Sequence, residues 1–262
     1  ASDWIDGECV VQQVIGDETT TAQLHPGLFT AALLDESIKR GASLTLARVV
    51  DILVERGRVR GVQLEEQTIE ADAVVIAMGL WSLLAARWFA LPAVYGLKGY
   101  SITLRPSQQS PPTLPAETLF MDYEDEHGDH HAPELVPRTD GDVYISGFSD
   151  ESPLPISPRD ISVDNEVCAR LNSIARQVSS ALTHSEVVRR QACYRPICLD
   201  AMPVMGAIPD VTGAYIATGH NCWGMLNAPA SGYAMAELIA EGRSRTIDLS
   251  AFAPERLDSI RL

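Results

Sequence analysis

Residues 215–241 read YIATGHNCWGMLNAPASGYAMAELIAE, and this stretch restricts the fold more than any other in the chain. Tyr215 to Thr218 is an apolar run long enough for a buried strand. A tight loop bounded by Gly219 and Gly224 follows. A helix is expected from about Ala228, because Ala228, Gly232, Met235, Leu238 and Ile239 recur at three- and four-residue intervals and Gly242 supplies a stop. Strand, glycine loop and helix is how α/β proteins present backbone N–H groups to an electron-rich ligand. A helix N-terminus carries about half a unit of positive charge, and glycines let the backbone approach closely with no Cβ in the way. An anionic or electron-rich group is therefore expected over this turn.

Composition narrows the ligand and the setting. At 46% hydrophobic residues, 262 residues suffice for one large domain or two modest ones. A net charge of −15 argues against nucleic acid and against anionic membrane surfaces as partners. Cys9, Cys168, Cys193, Cys198 and Cys222 form no CxxC pair, which points to a reduced intracellular, cytoplasmic protein without a disulfide framework or a zinc site. No secretory signal opens the sequence. The most apolar stretch, Ala71 to Leu97, is broken by Asp72, Gly79, Arg87 and Pro92, so no membrane span is expected there. The sequence begins at Ala1 in what already reads as mid-domain, so a truncated fragment of a longer protein is expected.

Along the chain, a strand is expected near Glu8 to Ile15 and a polar loop from Asp17 to Gln23. His25-Pro26-Gly27 opens a helix with Leu28, Phe29, Ala32, Leu33 and Ile38 on one face, ended by Gly41. Alternation predicts strands over Ser43 to Leu53 and Val59 to Leu64, with Glu55 to Gly57 as the turn. Ala73 to Ala77 is a continuous apolar run, read as a strand buried on both faces, and Gly79 to Ser82 leads into a short helix through Trp88. On pattern alone, a core role and a cofactor-facing role for this segment stand level. Strands are also expected at Tyr100 to Leu104, Glu134 to Pro137 and Val143 to Ser146. Asp164 caps a helix with Val167, Leu171, Ile174, Ala175, Val178 and Leu182 on its apolar face.

Two segments carry candidate chemistry. The loop Asp122 to His131 brings His127, Asp129, His130 and His131 together, but no spacing fixes a coordination geometry, and a solvated acidic loop without metal is the expectation. In Val187 to Gly206, alternation through Val187, Arg189, Gln191 and Cys193 predicts a strand that Pro196 ends. Arg195 then sits in apolar company beside Tyr194, Pro196 and Ile197, where a guanidinium needs a carboxylate partner. On these residues alone an internal pair with Asp200 is favoured over a bound carboxylate. Cys222, two residues from His220 near a helix start, admits a third reading as an activated thiolate in a thiol enzyme.

The order VVIAMGLW (74–81), LKG (97–99), VPR and DG (136–138 and 140–141), ACYRPICLDAMPVMG (192–206) and YIATGHNCWGMLNAPASGYAMAELI (215–239) resembles the D-amino-acid oxidase superfamily. Within it the chain is similar to the glycine oxidase and sarcosine oxidase branch, from about Leu24 onward. The resemblance implies an FAD-dependent oxidoreductase that oxidises an amine or amino acid by hydride transfer to flavin N5. It implies that Ala77, Gly79 and Trp81 pass beside FAD, and that Gly219, His220, Asn221, Cys222, Trp223, Gly224 and Met225 face its pyrimidine end. Arg195 matches the arginine that binds the substrate carboxylate, which reverses the preference for Asp200; Asp200 becomes a structural partner of the nearby turn. Cys193 falls where sarcosine oxidase holds its flavin covalently, and a thioether there competes with a buried structural cysteine.

Departures from that pattern are specific. No GxGxxG occurs in these residues, so the segment that holds the ADP half of FAD is expected before Ala1, and the fragment alone carries about half a flavin site. Glu134 stands where glycine oxidase has a substrate-binding tyrosine. A non-catalytic binding module of oxidase fold is the competing function. The implied architecture is α/β with an α+β substrate domain: residues 1–94 and 200–262 form the remnant of a Rossmann-like FAD-binding domain, and 95–199 a mostly antiparallel sheet domain. An exposed apolar face is expected where further N-terminal strands pack. Partners are small-molecule amines or amino acids, with the oligomeric state open.

Overall fold

A computed structural model describes residues 3–7, 9–107 and 114–261. In chain order the elements are α1 (Pro26–Lys39), β1 (Val49–Glu55), β2 (Arg58–Leu64), β3 (Thr68–Glu70), β4 (Val74–Ile76), a 3-10 helix Gly79–Arg87, β5 (Leu91–Pro92) and β6 (Val94–Arg105). Then come β7 (Leu119–Phe120), β8 (Tyr123–Glu124), β9 (His130–His131), β10 (Glu134–Pro137), β11 (Val143–Asp150), α2 (Asn165–Val178) and β12 (Glu186–Cys198). The chain closes with β13 (Val204–Ala207), β14 (Ala214–Thr218), α3 (Gly224–Glu241) and β15 (Ser259–Ile260). The mixture of sheets and helices is the expected α/β class with an antiparallel sheet region. Two compact units emerge, residues 1–25 with 98–193, and residues 26–97 with 194–262.

The first unit is built on a five-stranded sheet in the order β12-β6-β11-β10-β7, with β6, β11, β10 and β7 antiparallel. One face is covered by α2, whose apolar stripe buries Cys168, Leu171, Ile174, Ala175 and Val178 against Ile102, Leu104, Leu135, Val143 and Ile145. Each leucine, isoleucine and valine among them contributes roughly 1.5–3 kcal/mol through burial. The helix starts at its expected cap, since Asp164 Oδ1 accepts from Glu166 N at 2.8 Å and Val167 N at 3.2 Å. Trp4 joins the core and donates to Glu117 Oε2 at 3.1 Å. Residues 9–16 form no strand, because Val10, Val11, Val14 and Ile15 lie exposed with no ladder to join.

Pro196 does not end its strand: β12 runs through to Cys198. The strand lies at the sheet edge, where a residue without N–H costs no ladder bond.

In the second unit, β1 and β2 pair through a two-residue hairpin with Arg56 (φ 49°) and Gly57 (φ 75°) at its tip, the backbone of a type I′ turn. Residues 43–48 stay outside the strand, and β3 adds a third strand that alternation did not signal. A second sheet, β13-β14-β4, pairs β14 antiparallel to β13 and parallel to β4. Its strand β4 is not buried on both faces, since Val75 remains 39% exposed and Ile76 alone is buried. It is an edge strand, and nothing among the described residues pairs with its outer side. The helix α1 forms where expected but buries no residue, leaving Leu28, Leu33, Leu34 and Ile38 exposed. Val49, Val50, Val54 and Val75 add further exposed apolar surface in this unit.

Candidate functional site

The two parallel strands of the second unit place two glycine turns side by side. Ile76 of β4 pairs with Ile216 of β14, so Ala77 to Gly79 and Ala217 to Gly219 leave the sheet at the same end. In α/β sheets this carboxyl end is where ligands bind. Thr218 Oγ1 donates to the Gly79 carbonyl at 2.8 Å and ties the turns together. Thr218 was not singled out in the sequence, although a hydroxyl at a strand's last residue, just before a glycine, is a signal for such a tie.

Gly219 has φ 79°, and a Cβ there would lie 2.5 Å from Cys198 Sγ, so the position admits glycine alone. Asn221 follows with φ 52°, a left-handed conformation that asparagine tolerates. Residues 221–223 make one 3-10 turn, Trp223 N donating to His220 O at 3.0 Å, and α3 begins at Gly224. The helix thus starts a turn earlier than the apolar spacing suggested and runs through Pro229. No side chain caps α3 and no acid lies in its first turn. The 3-10 helix at Gly79 is also uncapped, and a Cβ on Gly79 (φ 55°) would meet no atom within 4 Å. Elsewhere Asp164, Ser157, Ser179 and Asp248 cap their helices by side chain, and the short 3-10 turn Pro254–Arg256 is also without a side-chain cap. Orphan N–H groups of a helix start are satisfied by side chains, water or ligands. These two uncapped ends therefore suit an electron-rich group.

Arg195, half-buried, lies on β12 two residues before Ile197, which forms an antiparallel bridge with His220. That spacing is roughly 7 Å along the strand. Beside it, Tyr194 and Leu80 close over Gly96, where a Cβ would meet Leu80 Cδ2 at 2.4 Å and Tyr194 Cδ1 at 3.0 Å. Asp200 does not pair with Arg195. Its carboxylate takes Arg256 Nε at 2.7 Å and Nη2 at 3.1 Å, and also accepts from Met202 N at 3.2 Å. The internal pair that the residues alone favoured is thus replaced by a pair 56 residues apart, for which no local pattern exists. Among the described residues no carboxylate pairs with Arg195.

The second unit holds Ala77, Gly79, Trp81, Arg195 and Gly219 to Met225 together. Cys193, exposed, and Glu134 belong to the first unit. His220 Nε2 lies 2.9 Å from Ser231 Oγ, and burial pushes its pKa below the usual imidazole value, so the ring is neutral at pH 7. Among the described residues no hydrogen bond joins His220 to Cys222, so the geometry lends the activated-thiolate reading no support. Burial pushes the Cys198 thiol up to about 11. In the first unit the histidine loop folds as a β8–β9 hairpin, with His130 Nδ1 3.0 Å from Asp122 and His131 Nε2 2.9 Å from Asp125. Arg170 also reaches Asp125 at 2.9 Å, so these carboxylates are engaged by side chains. Among the described residues no helix is long and apolar enough to cross a membrane.

Comparison with known proteins bears on the cofactor. The chain is 30% identical to putative oxidoreductase TDA3 of Saccharomyces cerevisiae over 97% of its own length and 54% of that protein. It is 28% identical to putative oxidoreductase C1F5.03c of Schizosaccharomyces pombe, over 97% of this chain and 69% of that one. The glycine oxidase structure from Geobacillus kaustophilus superposes with a TM-score of 0.69 at 26% identity, covering 86% of this chain and 56% of that one. The chain therefore spans about half the length of TDA3 and of that glycine oxidase. The model of the family described as FAD dependent oxidoreductase (DAO) matches residues 14–238, and FAD is that family's cofactor. On this match, and on strand ends and uncapped helix starts that suit an electron-rich ring, the chain belongs to the DAO family of FAD-dependent oxidoreductases.

Proposed function

We propose that this chain supplies the substrate-facing part of an FAD-dependent oxidoreductase that oxidises an amine or amino acid. The single observation that carries the reading is the uncapped N-terminus of α3, bridged through His220 and Ile197 to the strand that bears Arg195, which pairs with no carboxylate among the described residues. FAD, when bound, supplies the acceptor at N5 for a hydride from the substrate α-carbon. Gly79 and Trp81 would line one side of it, and the amides of Gly219 to Met225 would hold its electron-rich end. Those amides and the α3 dipole would favour negative charge at that end.

Arg195 receives the substrate carboxylate, a role for which its planar donors and lack of an internal carboxylate are suited. It orients the α-carbon by holding the acid group at a fixed point. No side-chain base is needed: the α-hydrogen leaves with its electron pair, and an amine that arrives unprotonated has no proton on nitrogen to give up first. Neutral His220, bonded to Ser231, keeps positive charge out of the turn and fixes its backbone. The test is a titration of the full-length protein with FAD, followed by steady-state kinetics on small amino acids and secondary amines. Flavin binding with turnover that Arg195→Leu impairs through KM supports the reading. A protein that binds flavin without turnover on any such amine favours the binding module instead.

A further inference from the structure

We propose that Arg256, near the C-terminal end of the chain, is the positioning residue of the Gly219–Gly224 turn; the proposal rests on the flavin reading above. The guanidinium has five N–H donors, and all five are used. Nε and Nη2 hold the two oxygens of Asp200 at 2.7 and 3.1 Å. Nη2 also reaches the Met202 carbonyl at 2.9 Å, and Nη1 reaches the Phe252 and Ala253 carbonyls at 2.8 and 3.3 Å. Its side chain is only 15% exposed, whereas that of Asp200 is 30% exposed. Arginine is the one side chain with a fork that satisfies a carboxylate and three carbonyls at once.

What Arg256 holds is the turn between β12 and β13. That turn carries a strained residue, Ala201 at φ 59°, and a bond from Ala201 N to Cys198 O at 2.9 Å. A non-glycine residue in this region persists when its surroundings over-determine it. Both ends of the same turn wall in Gly219. Cys198 Sγ lies 2.5 Å from the Cβ position, and Val204 N and Pro203 Cα lie at 3.5 and 3.6 Å. On the C-terminal side, a Cβ on Gly206 of β13 would meet Pro254 Cδ at 3.2 Å, so residues 253–256 pack directly on that strand. The chain of contact runs from Arg256 through Asp200 and Met202 to Cys198 and Pro203, then to Gly219. One step further along β12, Ile197 bridges His220 and Arg195 follows at alternate spacing. Arg256 touches neither flavin nor substrate; it sets the place of the amides and the guanidinium that do.

The test uses the full-length protein and its R256Q, R256K and D200N variants, with two readouts that do not depend on turnover. Peptide-resolved hydrogen exchange reads the turn, and quenching of flavin fluorescence on titration into apoprotein reads FAD affinity. In R256Q the peptide covering 215–226 should lose protection at least tenfold while the β1–β2 hairpin peptide stays unchanged, and the FAD Kd should rise at least tenfold. R256K keeps a charge for Asp200 and gives up the carbonyl contacts, so it should recover part of both losses. D200N, which leaves Arg256 without its carboxylate, should fall between R256K and R256Q and serves if R256Q fails to unfold cooperatively. Unchanged exchange at 215–226 in both R256Q and D200N overturns the proposal, as does FAD affinity that is unchanged while the turn loosens. Wild-type protein that takes up no FAD sinks the flavin reading itself, and with it a functional role for Arg256, even if the exchange result shows the turn to be held.

Discussion

The helices α2 and α3 lie in different units and finish their ends in opposite ways. At α2, Asp164 takes two first-turn amides and five side chains of the helix are buried against a five-stranded sheet. At α3 no side chain caps the first turn, three residues are buried, and Leu226 and Tyr233 remain 72% and 62% exposed. The sequence of α2 supplies everything that element needs. The sequence of α3 supplies an amide-rich end and apolar surface that ask for something beyond the described residues. Caps and uncovered faces therefore separate a region complete in itself from one that the proposed function makes a ligand site.

The largest expected effect sharpens that contrast. Leu171→Ala in α2 should cost about 2–5 kcal/mol of unfolding free energy, the usual cost of a buried leucine. Leu226→Ala in α3, measured on the same chain, should stay within about 0.5 kcal/mol. Equal losses would break the comparison.

Arg195→Leu should come next. In the full-length protein it should raise KM by about 2–4 kcal/mol of lost charged pairing, with kcat changed less. A KM that does not move removes Arg195 from substrate binding.

Smaller effects read the two helix starts directly. Asp164→Ala should destabilise by about 1 kcal/mol. Leu226→Glu puts a carboxylate in the uncapped first turn, and should stabilise the flavin-free protein by about 0.3–1 kcal/mol while weakening FAD binding. Stabilisation with unchanged FAD affinity would show that the α3 end and the flavin do not share a site.

Acid gives the smallest effect. Burial holds the His220 pKa below its unfolded value, so the unfolded chain binds the extra proton first. The stability that neutral His220 contributes is complete above the unfolded value near ~6.5 and is lost as pH falls from there to the folded pKa. Melting at pH 7.5 and 5.5 should show a steeper loss for the wild type than for His220→Asn.

How much of this was readable in the sequence follows the reach of each signal. Asp164, α2 and its apolar stripe as far as Val178 are legible because caps and 3.6-residue periodicity are local, whereas Leu182 lies past the helix end in the 3-10 turn Ser180–Leu182. The glycines at 79, 219 and 224 were legible for the same reason, and so was the α/β class. Arg256 with Asp200, Ser231 with His220, and Cys198 beneath Gly219 are not local, and spacing says nothing about them. The extent of β12 past Pro196 depended on its place at a sheet edge, which one strand's sequence does not encode. Val75 stays 39% exposed because its face of β4 is only partly covered by the described residues, although an apolar run alone reads as doubly buried.

The most direct test of the central claim is residue-level amide exchange of the full-length protein with and without FAD. Binding should slow exchange at Gly79 and across Gly219 to Met225, and leave the capped first turn of α2, Asn165 to Val167, as it was. FAD bound at saturation with no change across Gly219 to Met225 would contradict the account.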